Sequence, residues 1–355
     1  MTEWTAPGAL MRREIAEQPD RWLDLLADRR AVDEAGRFTA ELRAAGRLTG
    51  LVFAARGSSD HASIYGQYLA QWLLGVPAAM ATPSMATVYG RHVHDPKSCL
   101  VAVSQSGASP DLLATVESAR TSGSPTIAFT NDPDSPLARA ADLHVPLAAG
   151  PERSVAATKT YTAELLALHL WLRAAAGEPS SLVDEEIFAL AERGREVVRR
   201  SAELAPGLAE RLVGAERAVL IGRAFGAATA REGALKLMET SSIAASGWSA
   251  ADVKHGPLAA VTPGTPVFCF LGERAGRESV EALLPGLRAR RADVTVVGVD
   301  AARPGLAGIL PADVPDALLP VLSIVPLQSL ALELSVRKGF DPDRPEGLTK
   351  VTHTT

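Results

Sequence analysis

Gly222 to Pro257 reads GRAFGAATAREGALKLMETSSIAASGWSAADVKHGP. Its middle, Arg231 to Thr240, has the spacing of a helix. At about 100° per residue, Glu232, Lys236 and Glu239 fall within roughly 60° of one another, while Ala234, Leu235, Leu237 and Met238 take the opposite side. One face suits packing and the other charge, which is also the pattern of an exposed face laced with i,i+3 and i,i+4 pairs. A glycine turn, Gly222 to Gly226, precedes this helix, and a short loop with Lys254, His255, Gly256 and Pro257 follows it. Carboxylates, an amine and an imidazole near a strand-to-helix turn suit proton transfer on a small molecule.

Working outward, Ala218 to Ile221 is a short buried strand entering that turn, and further strands are expected at PVFCFL and VTVVGV. The same plan occurs earlier in the chain. Gly50 to Ala55 is a strand ending in ARGSSDHAS and passing into a helix, and SCLVAVSQSGASPDLLATVESAR, SPTIAFTND and LHVPL continue the alternation. Buried strands at this spacing with helices between them define a parallel sheet covered on both faces. The expected fold is α/β, two tandem three-layer α/β/α domains with mostly parallel, flavodoxin-like sheets. The segments are a helical stretch at 1–45, a first domain at 46–175, a helical connector at 176–212, a second domain at 213–340 and a tail at 341–355.

The length, 355 residues, suits two cores. A formal net charge of −5 and the absence of any Lys/Arg run give no attraction to nucleic acid or to an anionic membrane. Cys99 and Cys269 sit in apolar runs and read as buried, reduced thiols. The N-terminus lacks a signal-peptide apolar region, no apolar run approaches membrane-spanning length, and a cytoplasmic location is expected.

Two strand-end loops carry hydroxyls. Ser104-Gln105-Ser106-Gly107-Ala108-Ser109-Pro110 follows an apolar strand and opens a helix, with Ser109 at the N-cap and Pro110 at N1. Hydroxyls and backbone N–H groups there, aimed along a helix dipole outside the carboxyl end of a parallel strand, suit a phosphate. Ser59, one unit earlier, either adds a hydroxyl or only caps its helix. His92 and His94, with Asp95 beside them, are followed by no further ligand at metal-binding spacing. Lys159, in the polar stretch SVAATKT, reads as a surface residue.

Six ordered motifs, MRREIAEQP, SQSGAS, GPERSVAATKTYTAEL, EGALKLMET, DVKHGPLA and DPDRPEGLTKVTHT, resemble those of the sugar isomerase (SIS) domain family. The resemblance covers nearly the whole chain, and is specifically to tandem-SIS proteins related to the isomerase half of glucosamine-6-phosphate synthase. It implies that Ser104, Gln105, Ser106 and Ser109 hold a sugar phosphate, with Ser59 and Val155 contacting the sugar. It also implies that Glu239 moves a proton between C1 and C2, with Lys236 and Glu232 as its helical neighbours. His255 matches the ring-opening histidine, supplied in relatives by the neighbouring subunit of a homodimer. Lys350 matches a lysine that approaches the substrate carbonyl and forms a Schiff base. The residue types suit the chemistry. Imidazole shuttles protons near neutral pH, a carboxylate serves as the base, and an amine holds a carbonyl as an imine.

Ala108, Met238 and Asp252 depart from the family's usual residues at their positions. The chain opens Met1-Thr2-Glu3 directly before the sugar module, with no glutaminase segment, so deamination is the expected direction. The resemblance therefore implies a cofactor-free, metal-free isomerase that deaminates an amino-sugar 6-phosphate, first of all glucosamine 6-phosphate. A fructosamine-6-phosphate deglycase and a non-catalytic sugar-phosphate sensor are the alternatives.

Overall fold

The computed structural model describes residues 6–300, 302 and 305–350. Residues 1–3 and the closing residues 351–355, both drawn on above, lie outside the described residues. The chain forms two units. One, the C-terminal unit, holds residues 6–19, 153–158 and 190–350, and the other, the N-terminal unit, holds 20–152 and 159–189. Their boundary falls inside the helical stretch that the sequence reading kept whole.

In the N-terminal unit, strands β1 (Gly50–Ala54), β2 (Ala78–Met80), β3 (Ser98–Ser104), β4 (Thr126–Thr130) and β5 (Leu143–Pro146) form one parallel sheet in the order β2-β1-β3-β4-β5. In the C-terminal unit, β6 (Arg217–Gly222), β7 (Ala244–Ser249), β8 (Pro266–Leu271) and β9 (Asp293–Gly298) form a second, in the order β7-β6-β8-β9. Both are the tandem α/β sheets expected. In each, the chain order reverses beside the first strand, between β1 and β3 and between β6 and β8. Crevices at the carboxyl ends of such strands are where ligands bind in open α/β sheets.

The central strands are buried because their residues are apolar on both faces. β4 and β8 are buried along their whole length. β2 and β7 are edge strands with mixed exposure, and the sequence reading named neither. The N-terminal unit's core centres on Trp171, whose ring meets Phe53 and Phe129 at centroid distances of 6.5 and 5.4 Å. Trp171 belongs to the helix Lys159–Ala175, which is buried almost throughout. Lys159, expected at the surface, is therefore buried at the start of that helix. The C-terminal unit corrects a second expectation. Leu319–Arg337 is helical and apolar enough, by length and composition, to cross a membrane, but it is mostly buried within the fold. Its Ala331 carbonyl accepts from the Thr240 and Ser241 hydroxyls at 3.2 Å each. Both cysteines are buried and free, and burial pushes the Cys269 thiol up to about 12 and Cys99 up likewise.

Candidate active site

In the N-terminal unit, β3 delivers Ser104 at its last residue, and the loop runs on to the helix Pro110–Thr121. The turn needs Gly107, which has φ of +59° and whose added Cβ would lie 2.2 Å from Ser135 Oγ. Ser109 is extended with Pro110 at N1, as expected for an N-cap, but its side chain makes no capping bond. Ser104 Oγ and Ser106 Oγ accept the loop's own Gly107 and Ala108 N–H groups at 3.2 and 3.3 Å. These lengths lie at or beyond the long end of the usual range, so a stronger acceptor readily displaces them. Gln105, Ser106 and Ser109 are half-buried and Ser104 is buried.

Ser59 does not cap its helix, where Gly57 holds the N-cap. It is buried, and its hydroxyl donates to Glu164 Oε1 at 2.7 Å. Sequence reasoning passed over Arg56, which joins the end of β1 to the helix Pro110–Thr121. Its Nε and Nη2 lie 2.8 and 2.7 Å from Asp111 Oδ2. The carboxylate of Asp111 is buried and also accepts the Leu112 N–H at 2.9 Å.

In the C-terminal unit, the helix Gly226–Ser241 carries Glu232, Lys236 and Glu239. The charged face is not the exposed one. Glu232 and Lys236 side chains are fully buried, Glu239 is 23 % exposed, and Met238, placed on the packing face by periodicity, is 44 % exposed. Lys236 Nζ lies 3.3 Å from Glu232 Oε1 and 2.5 Å from Glu239 Oε2. Burial works to lower the Lys236 pKa, but the facing Glu232 and Glu239 carboxylates outweigh it and hold the amine above the ordinary lysine range. Lys236 is therefore a fixed cation rather than a base. Of the two carboxylates beside it, only Glu239 reaches the surface.

His255 ends a short 3-10 turn, Asp252–His255, and is exposed. Lys350 is half-buried and donates from Nζ to the Ser154 carbonyl at 2.7 Å, beside Val155. This corner is assembled from distant parts of the chain. Buried Glu14 accepts the Arg153 and Ser154 N–H groups, the first at 2.5 Å. Asp343 accepts the Leu10 and Met11 N–H groups at 2.9 and 2.8 Å, and its carbonyl accepts the Val155 N–H at 3.2 Å. Neither Glu14 nor Asp343 was singled out from sequence. The structure thus brings together Glu232, Lys236 and Glu239, joins Lys350 to the Val155 loop, and gathers Ser104, Gln105, Ser106 and Ser109 on one turn.

The SIS domain model matches residues 49–174 and 211–304, so the chain belongs to the SIS domain family, in tandem form. It is 34 % identical over 364 residues to the glutamine–fructose-6-phosphate aminotransferase (isomerizing) of Methanothermobacter thermautotrophicus, covering 98 % of this chain. It spans 59 % of that relative's length. A crystal structure from Silicibacter pomeroyi, of a protein provisionally named a phosphosugar isomerase, matches at a TM-score of 0.78 and 32 % identity. That match covers 94 % of this chain and 99 % of the other. The fold also matches the Thermotoga maritima glucosamine-6-phosphate deaminase, at a TM-score of 0.77 and 21 % identity over 98 % of this chain and 100 % of that one.

Proposed function

We propose that this protein is a phosphosugar aldose–ketose isomerase that converts glucosamine 6-phosphate to fructose 6-phosphate and ammonia. The observation that carries the reading is the trio on the helix Gly226–Ser241, a buried cation that keeps its proton beside one carboxylate that reaches solvent. That is the arrangement a carbon acid needs, with a base for the proton and a fixed positive charge for the electron density it leaves behind. The likeness to enzymes named as isomerizing aminotransferases supports the same reaction class.

The steps follow from the residues. The hydroxyl loop of Ser104, Gln105, Ser106 and Ser109 holds the phosphate. His255 opens the ring by carrying the proton of the anomeric hydroxyl to the ring oxygen as the C1–O bond breaks, exposing an aldehyde at C1. Glu239 takes the proton from C2, leaving an enolamine, and returns it to C1, leaving an imine at C2. Water adds to that imine and ammonia departs. Lys350 is the amine available to exchange with the C2 nitrogen as a Schiff base before hydrolysis. Ser59 and Val155 contact the sugar.

The protein acts in the cytoplasm as a homodimer, and the exposure of His255 on its turn fits an imidazole delivered to the site of a second copy. Co-expressed Glu239→Gln and His255→Ala chains, each inactive alone, then regain about a quarter of wild-type activity, because half the dimers are mixed and hold one intact site. No recovery shows that His255 acts within its own chain. The assay for the whole reading follows ammonia and fructose 6-phosphate from glucosamine 6-phosphate. Equal amounts of both are expected. Absence of both refutes the reading, and ammonia-free release of an amino acid from a fructosamine 6-phosphate assigns a deglycase instead.

A further inference from the structure

The C-terminal sheet has its own strand-end crevice, and the proposed reaction leaves it unused. The loop after β8, Gly272 to Arg277, opens onto a cavity of about 460 Å³. Its walls carry Arg274, Arg277, Glu278, Glu281 and Asp316, together with the apolar Val299, Val314 and Leu319. A volume of this size is within the range of small-molecule sites. A smaller chamber of about 10 Å³, just large enough for one water-sized group, adjoins it through Gly272 and Arg277 and reaches Glu273.

Two buried polar atoms in that chamber have no hydrogen-bond partner among the described residues, Glu273 Oε2 and Arg277 Nε. Glu273 is only 9 % exposed. Its other oxygen, Oε1, stands beside Gly226 at the N-terminus of the helix Gly226–Ser241, where the backbone of Gly226 and Phe225 offsets part of the cost of burying the charge. Gly226 permits this approach, since a Cβ there would stand 3.0 Å from Glu273 Oε1. Buried polar atoms in native proteins are rarely left unsatisfied, and an orphaned pair lining a cavity marks a place for a ligand atom.

The ligand's chemistry is constrained by what is already occupied. Asp316 accepts the Arg274 and Ala275 N–H groups at 3.0 and 2.9 Å, so the loop's anion-binding amides are taken by the chain's own carboxylate. Glu273 takes the helix N-terminus. Against two guanidinium groups the larger cavity sets three carboxylates. A phosphate finds its usual donors filled and a negative field in front of it. We infer that this crevice is a second small-molecule site, for an unphosphorylated amino sugar. A sugar hydroxyl would bridge Glu273 and Arg277, the ammonium would face Glu278 and Glu281, and the C–H face would lie on Val299, Val314 and Leu319. This does not rest on the reaction proposed above.

The test is isothermal titration of the full-length protein with D-glucosamine. Saturable binding at one site in about the millimolar range is expected. It persists in a Ser104→Ala/Ser106→Ala double variant, which removes hydroxyls of the other half's loop. It weakens about tenfold or more in Ala312→Trp, where an exposed small residue is replaced by one that fills the cavity, and in Arg277→Met. Glu273→Gln, which keeps an acceptor for the helix and a donor for the chamber, stays within about threefold of wild type. Three results overturn the inference. These are no saturable binding by the wild-type protein, binding unchanged in Ala312→Trp, and tighter binding of glucosamine 6-phosphate than of D-glucosamine that is lost in Ala312→Trp.

Discussion

The loops after β3 and after β8 stand at the same place in two copies of one fold, and they treat negative charge in opposite ways. After β3 the loop offers partly exposed hydroxyls, and its amides are held by long bonds to its own serines. After β8 the loop amides and the neighbouring helix N-terminus are both occupied by carboxyl groups, Asp316 and Glu273. The N-terminal unit lines its loop with neutral groups and leaves them partly exposed. The C-terminal unit fills its own and buries charge instead, in the Glu232–Lys236–Glu239 trio as well. A duplicated scaffold thus keeps the strand-end crevice while changing the charge that lines it.

The buried charge gives the largest expected effect. Lys236→Met leaves the fully buried Glu232 without its cation, and the C-terminal unit is expected to lose about 3–5 kcal/mol of stability in urea unfolding. Adding Glu232→Gln should recover most of that. If the single variant is as stable as wild type, the trio is not holding the helix in the way described.

Next in size is the difference between the loops. The Ser104→Ala/Ser106→Ala variant should lose about a hundredfold in kcat/KM for glucosamine 6-phosphate, as expected for two hydrogen bonds to a charged phosphate. Arg274→Ala, in the other loop, should stay within about twofold. Equal losses would mean that the substrate phosphate uses both loops.

The smallest expected effect concerns Glu273. Burial, with the Asp316 charge added, raises its pKa well above the ordinary glutamate value. The unfolded chain therefore releases this proton at lower pH than the folded chain does. Stability from this group is full below the unfolded value and is lost as pH rises toward the folded one. Glu273→Gln, a neutral mimic, should accordingly stabilise the protein more at pH 8 than at pH 5. Equal effects at the two pH values would show that the carboxyl is not held neutral.

Much of this was legible in the sequence. SCLVAVS and PVFCFL are unbroken apolar runs of strand length, and a serine loop ending in Pro110 announces both a strand end and a helix start. β2 and β7 were not legible because edge strands alternate weakly and carry partly exposed small residues. Periodicity grouped Glu232, Lys236 and Glu239 on one face, but it cannot say which face is inside. The grouping was right, and its burial, which the sequence left open, is allowed because one lysine between two carboxylates compensates charge locally. Lys159 escaped for the same reason, since a burial set by packing around its helix leaves no local mark. Glu14 and Asp343 act on backbone groups brought near only by the fold, 332 residues apart for Asp343 and Met11.

The central claim, that Glu239 moves the proton between C1 and C2, is tested most directly by isotope exchange. Fructose 6-phosphate is incubated with the protein and ammonium in D2O, and deuterium at C1 is followed by NMR. Wild-type protein should wash one deuterium into C1, and folded Glu239→Gln should slow this by about a thousandfold, the scale of a lost general base. Exchange at the wild-type rate in Glu239→Gln would contradict the account.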